Sequence, residues 1–267
     1  MQIVANITSP MLIWQLVRRL TCGLMIIVNL LIGTVGAHAG EISVAVASNF
    51  LAAESELVRS FEQHSDHRVV SSSGSTGKLT AQIMQGAPFD IFMAADTVRP
   101  RKLIELGFAA EESFFIYATG SLALWSPAPQ SAEKLKAMLL NKRYKYLALA
   151  NPKTAPYGAA ALEAMQSLGL EKPDRMVFGE NITQSFQFVK TGHADLGFVA
   201  LSQLMHRESG GAYWQVPEHL HQPLRQALVV IGASAKREAV SSFLAFLKSK
   251  EASVIIASYG YAVPGEE

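Results

Sequence analysis

The chain has 267 residues, 49% hydrophobic and 17% charged, which is enough apolar material for one large domain or two ordinary lobes and too much for general disorder. A formal net charge of +1, with no long run of one sign, excludes a strongly basic nucleic-acid binder, an acidic tail and a polybasic arm. Cys22 is the one cysteine, so an intrachain disulfide and a thiolate-rich metal cluster are excluded as well.

Residues 1–39 differ from the rest. They hold Arg18 and Arg19 and no acidic residue, then an apolar stretch from Leu20 to Val35, then Ala37-His38-Ala39. A positive start, an apolar middle and a small-x-small ending form a secretory signal peptide, with cleavage expected after Ala39; the alternative is an N-terminal anchor helix, to which Met11 to Trp14 would add apolar surface. The apolar stretch is short against the roughly 20 residues that a membrane span needs. Of the 23 basic residues only Arg18 and Arg19 lie there, so the exported part carries 21 basic against 22 acidic residues, net −1, and no cysteine. An exported protein that does without disulfides is expected. Cys22 follows the arginines too closely to be a lipid-attachment site.

From residue 40 onward, short apolar runs alternate with helical periods. Ile42 to Ala47 is a strand ended by Ser48-Asn49, and Phe50, Leu57, Val58 and Phe61 then mark one face of a helix. Val69-Val70 opens a second strand that runs into a serine cluster, Ser71 to Gly77. A helix through Leu79, Ile83 and Met84 follows, and Asp90 to Ala95 is a third strand. This rhythm predicts a mostly parallel sheet with helices on its faces. It repeats with strands at Ser121 to Trp125, Tyr146 to Ala150 and Leu196 to Val199, and with helical periods after Pro156 and from Ile182. Residues 206–225, rich in His, Pro and Gly, read as irregular. Gln226 to Ile231 is strand-like, Ser234 is a candidate cap for a helix carrying Val240, Phe243 and Leu247, and a last helix should stop at Gly260.

Four polar junctions lead from a strand or turn into a helix: Ser48-Asn49, Ser75-Thr76-Gly77, Ala155-Pro156-Tyr157-Gly158 and Glu180-Asn181-Ile182-Thr183. A helix start presents unpaired N–H groups and partial positive charge, so it suits an anion. Such residues are also ordinary helix caps, and strands of a parallel sheet always lead into helices. Ligands of open α/β sheets do bind beyond the carboxyl ends of strands, where these junctions fall. Catalytic patterns fail on spacing. Gly74-Ser75-Thr76-Gly77-Lys78 lacks the glycine spacing and the hydroxyl after lysine of a phosphate loop, no G-x-S-x-G occurs, and His219-Leu220-His221 lies between Pro217 and Pro223 with no H-E-x-x-H. Asp90 and Asp96 flank a strand with no base or nucleophile beside them.

Several segments together resemble the periplasmic molybdate-binding proteins of molybdate ABC transporters, over essentially the whole exported chain. They are Val46 to Phe50, Ser72 to Leu79, Gly86 to Asp96, Asn151 to Gly158 and Ala194 to Val199, in that order and spacing. The resemblance implies a two-lobe α/β protein of the type II periplasmic binding class, each lobe a mostly parallel sheet flanked by helices, joined by two crossing strands. Lobe one would be 40–118 plus 228–267 and lobe two 119–227. It implies an oxyanion held in the cleft by Ser48, Asn49, Ser75 and Thr76 from one lobe and by Tyr157 and the Ile182 N–H from the other. Some members carry a tyrosine where Ala200 stands here, so that donor is missing.

The same resemblance implies molybdate as ligand, with tungstate beside it, and no catalytic activity, cofactor, nucleic acid or protein-bound metal cation. A monomer in the periplasm would deliver the ion to an inner-membrane permease served by a separate ATPase subunit. Sulfate, phosphate or tungstate as the true ligand is the nearest alternative. A secreted α/β enzyme acting on an anionic substrate is a more distant one.

Overall fold

The computed structural model describes residues 40–170, 175–205, 210–232, 234 and 237–264. The leader expected at 1–39, with Cys22 and the cleavage point at Ala39, lies outside them. The first part of the chain runs β1 (Glu41–Ala47), α1 (Leu51–Gln63), β2 (Arg68–Gly74), α2 (Thr76–Met84), β3 (Ile91–Met93), α3 (Val98–Glu105) and β4 (Phe115–Gly120). The middle continues through β5 (Leu122–Ser126), α4 (Ala132–Leu140), β6 (Leu147–Ala150), α5 (Pro156–Ser167), β7 (Met176–Gly179), α6 (Ile182–Lys190), β8 (Leu196–Ala200), α7 (Ser202–Met205) and β9 (Ala212–Gln215). The last part is β10 (Leu224–Val230), α8 (Glu238–Leu247) and α9 (Lys250–Ser258).

Two five-stranded sheets result, ordered β2-β1-β3-β10-β4 and β7-β6-β8-β5-β9. In each, β-α-β connections make the first three strands parallel, while β10 or β5 runs against its neighbours in fourth place. Four strands of every sheet therefore share one direction, as the alternating pattern predicts. The chain leaves the first sheet after Gly120, enters the second at Leu122, and returns between Gln215 and Leu224.

Burial follows the sequence pattern. Ile42, Val44, Ala45 and Val46 of β1 are fully buried on both faces, which a near-continuous apolar run at the middle of a covered sheet requires. Helix α1 turns Ala53, Leu57 and Phe61 inward beside Phe50, onto a core shared with Phe243 and Ile256 from the C-terminal helices. The second sheet has its own core, with Leu122, Leu149, Ala161 and Phe198. The chain ends its last helix at Gly260, whose φ of +76° gives the left-handed stop expected there.

Two expectations need correction. Residues 212–215 form a strand, β9, on the edge of the second sheet, where pairing with β5 supplies what a Gly- and His-rich neighbourhood does not. Ser234 does not cap α8. Its hydroxyl donates to Asp90 Oδ1 at 2.7 Å, and the helix starts at Glu238 with Arg237 in the cap position. Among the described residues no helix is long and apolar enough to cross a membrane.

Candidate functional site

All four junctions singled out in the sequence lie at the carboxyl ends of strands and meet at one small pocket between the sheets. Its lining includes Ser48, Asn49, Ser75, Thr76, Tyr157 and Ile182, all six candidate residues, together with Ala47, Gly74, Ala95, Ala155, Pro156 and Asn181. No charged side chain lines it.

Each residue's position follows from its local structure. Ser48 and Asn49 form the turn between β1 and α1, held by a bond from the Ser48 N–H to the Gly74 carbonyl at 3.0 Å. Ser75 is the cap residue of α2, yet its side chain makes no capping bond, so its hydroxyl is left for the pocket. Thr76 opens that helix. Its oxygen accepts from the Ala95 N–H at 3.2 Å, which leaves the hydroxyl proton to be donated. Pro156, without an N–H of its own, starts α5, so Tyr157 carries the first amide of that helix, and Ala155 adds no side-chain cap. On α6 the Asn181 side chain accepts from the Gln184 N–H at 3.1 Å, leaving the Ile182 N–H at the helix start. The hydroxyl residues Ser48, Ser75 and Thr76 and the amides of several helix starts thus line one small space. Their dipoles point positive ends inward, so the pocket suits an anion accepting hydrogen bonds from neutral donors.

The side chains of Asn49 and Tyr157 behave differently from those of Ser75 and Thr76. Asn49 Nδ2 donates to Gln226 Oε1 at 2.8 Å and to the Tyr261 hydroxyl at 3.1 Å. The Tyr157 hydroxyl takes a bond from Gln226 Nε2 at 3.4 Å. Both point into a buried polar cluster behind the pocket, so their backbone amides are what they offer the cleft. Gln226 is fully buried at its centre, and the single Tyr117 hydroxyl proton is shared between the Ala94 carbonyl at 3.0 Å and Gln226 Oε1 at 3.2 Å. The ladder between β10 and β4 slips here, with Gln226 opposite Ala118 and Ala227 opposite Ile116. Tyr117 is the extra residue of this bulge, a common device for aiming a side chain beside a site. Burial pushes the hydroxyl of Tyr261 up to about 12 and those of Tyr117 and Tyr157 well above the usual range, so all three stay protonated donors.

Bonds also join the lobes directly. The Gly77 N–H donates to the Thr154 carbonyl at 2.8 Å, the Thr183 hydroxyl to the Ser48 carbonyl at 3.1 Å, and the Ser202 hydroxyl to the Asn49 carbonyl at 3.2 Å. A Cβ on Gly77 would sit 3.0 Å from Thr154 Cα, so the seam needs a glycine for its close approach. Lys78 and Glu180 add an exposed ion pair at 3.2 Å. Gln226, Tyr117, Ser202 and Tyr261 carried no signal in the sequence, because their partners lie 23 to 212 residues away. Ala200 is fully buried at the end of β8 and offers no hydroxyl. Among the described residues no group of three His, Cys, Asp or Glu could hold a metal ion.

Residues 42–262 match the family model described as bacterial extracellular solute-binding protein. The chain is 42% identical to the molybdate-binding protein ModA of Azotobacter vinelandii over 85% of its own length and 92% of that protein. It is 42% identical to ModA of Rhodobacter capsulatus as well, over 84% of this chain and 89% of that one. The solved structure of the Azotobacter vinelandii periplasmic molybdate-binding protein superposes with a TM-score of 0.80 at 35% identity, covering 84% of this chain and 99% of that one.

Proposed function

This chain belongs to the bacterial extracellular solute-binding proteins, and from that premise we propose that it captures molybdate in the pocket between its lobes, in the periplasm, for an ABC importer. Its relatives are solute-binding proteins and not enzymes. The observation that carries the ligand assignment is the pocket itself: hydroxyls of Ser75 and Thr76 and helix-start amides of Tyr157 and Ile182 converge with no charged side chain among them.

Molybdate is fully deprotonated at neutral pH and can only accept hydrogen bonds. Neutral donors in a closed, water-poor cleft replace its hydration without a buried ion pair that release would have to break. Sulfate has the same charge and shape, so discrimination rests on the size of the donor cage. Tungstate is nearly equal in size and binds with molybdate. The contacts between Gly77 and Thr154 and between Thr183 and Ser48 belong to the closed form, which assembles both halves of the donor set. The lobes move about the crossings at 120–122 and 215–224, a few residues inside the bounds read from the sequence. The closed form presents the ion to the permease, and a separate ATPase subunit supplies the energy. The protein acts as a monomer and needs no cofactor.

Isothermal titration calorimetry of residues 40–267 with molybdate, tungstate and sulfate tests the assignment. Tight one-to-one binding of molybdate and tungstate, undisturbed by excess sulfate, is the expected result. Equal affinity for sulfate, or no molybdate heat, would transfer the site to another oxyanion.

A further inference from the structure

The gap between the lobes widens beside the pocket into a groove whose chemistry is the opposite of the pocket's. Ala95 and Pro156 line both spaces. One residue further along each wall, Gly77 and Thr154 line only the groove, and the bond between them stands where the two spaces join. The groove carries four cationic side chains, Arg99, Lys102, Lys153 and Arg225, against two acidic ones, Asp96 and Glu163. Asp96 is consumed by an ion pair with Arg99, which also donates to the Lys153 carbonyl at 3.1 Å. Glu163 accepts the Gln222 N–H at 2.8 Å. Lys102, Lys153 and Arg225 are exposed and form no ion pair among the described residues.

This concentration of charge is local. From residue 40 onward the chain carries net −1, which gives a dianion no general attraction, and the pocket is uncharged. The geometry points to the groove as an outer capture site for the dianionic oxyanion, separated from the inner pocket by the Gly77–Thr154 seam. The inference rests on the oxyanion reading of that pocket. Charges at a cleft mouth with low-dielectric walls raise the local concentration of counter-ions and speed association, and a divalent ion feels each of them twice over. Because these cations stand on the path and not at its end, they favour passage in both directions. They raise the association and dissociation rates together and change the equilibrium affinity less.

The test compares the protein with its Lys102→Met, Arg225→Met double variant. Calorimetry gives Kd for molybdate, a chase of radiolabelled molybdate with unlabelled gives the dissociation rate, and their ratio gives the association rate. At low ionic strength the variant should associate about three- to tenfold more slowly, and dissociate more slowly too. The difference should vanish near 1 M salt, where the screening length is about 3 Å. Lys102→Arg with Arg225→Lys should restore the rates. Equal rates at low salt, or a deficit that persists at high salt with a weaker Kd, would overturn the role of the groove. No molybdate binding by the unaltered protein would instead refute the ligand assignment, and the capture site with it.

Discussion

The two lobes share one strand plan but contribute to the pocket by different means. The first lobe supplies side chains beside the Asn49 amide: Ser75 caps α2 without using its hydroxyl for capping, and Thr76 presents a hydroxyl whose oxygen is already held by Ala95. The second supplies backbone, the Tyr157 and Ile182 amides at the starts of α5 and α6, with side chains turned elsewhere. The first lobe also contains the buried carboxyls found among the described residues, Glu54 and Asp90. A donor on a side chain can be deleted by truncation and tuned singly. A donor on the backbone is fixed by how its helix packs, and only moving the helix removes it.

The largest effect should therefore come from the second lobe, at a residue that makes no hydrogen bond to the ligand. A Cβ on Gly158 would lie 2.1 Å from the Ala150 carbonyl oxygen, so α5 packs on β6 only with glycine there. Gly158→Ala should push the helix start off the strand, displace the Tyr157 amide and abolish tight molybdate binding. It should also cost stability by about 1–3 kcal/mol. Calorimetry and denaturant unfolding read the two effects. Retained affinity would mean that α5 does not hold the anion through its first amides.

The first lobe's carboxyl asymmetry gives the next effect, on stability alone. Glu54 lies in the first turn of α1, hydrogen-bonded to Ser71 of β2, and burial raises its pKa from 4.5 to about 7, against the lowering by Ser71, with Glu62 adding to the rise. Between those values the folded protein keeps a proton that the unfolded chain has lost. Stability from this group is present below about pH 4.5, falls as pH rises through the window, and is gone above pH 7. Glu54→Gln should leave stability near pH 4 unchanged and raise it by up to ~3 kcal/mol at pH 8. Unfolding free energies at the two pH values decide it; parallel curves for variant and parent would place the titrating group elsewhere.

This division also explains what the sequence could and could not reveal. Junctions are local, so Ser48-Asn49, Ser75-Thr76, Pro156-Tyr157 and Asn181-Ile182 were visible as short polar breaks before helical periods. Their convergence follows from a parallel sheet putting its helix starts on one edge. The partners of Asn49 were not visible. Gln226 sits in an apolar strand and Tyr261 after a terminal helix, and both meet Asn49 only because two crossings bring distant segments together. The edge strand Ala212–Gln215 is not legible in the sequence for a related reason: its pairing with β5, not its own residues, makes it a strand. Ser234 looked like a helix cap because capping is a local rule, whereas its partner Asp90 is 144 residues away.

Side-chain donors in the first lobe predict a clean loss. On the proposed site, Ser75→Ala should remove one hydrogen bond to a charged ligand and no capping bond, since Ser75 makes none. Affinity should fall by ~1.5–3 kcal/mol, with unfolding midpoints nearly unchanged. A drop in stability without a drop in affinity would return Ser75 to an ordinary cap.

The smallest effect is the sharpest test of the contrast. Tyr157 lines the pocket, so a simple reading of its position would have its hydroxyl hold the anion and Tyr157→Phe cost as much as Ser75→Ala. The hydroxyl instead faces Gln226 at a long 3.4 Å, beside Gly120, where a Cβ would be only 2.0 Å from it. Removing the oxygen leaves the backbone amide in place and takes one partner each from Gln226 and Tyr261, while the Gln226 carbonyl stays bonded to Asn49 and Tyr117 and the Tyr261 hydroxyl to Asn49 and Ser202. Tyr157→Phe should therefore shift molybdate affinity by less than ~0.5 kcal/mol, because a neutral hydrogen bond at that distance is worth little. Any loss should come through a looser Asn49 and be smaller than that of Gln226→Leu, which removes the Asn49 acceptor at 2.8 Å outright. A full 1.5–3 kcal/mol loss in Tyr157→Phe alone, on the scale of a charged hydrogen bond, would put the phenol on the ligand and make the second lobe a side-chain donor like the first.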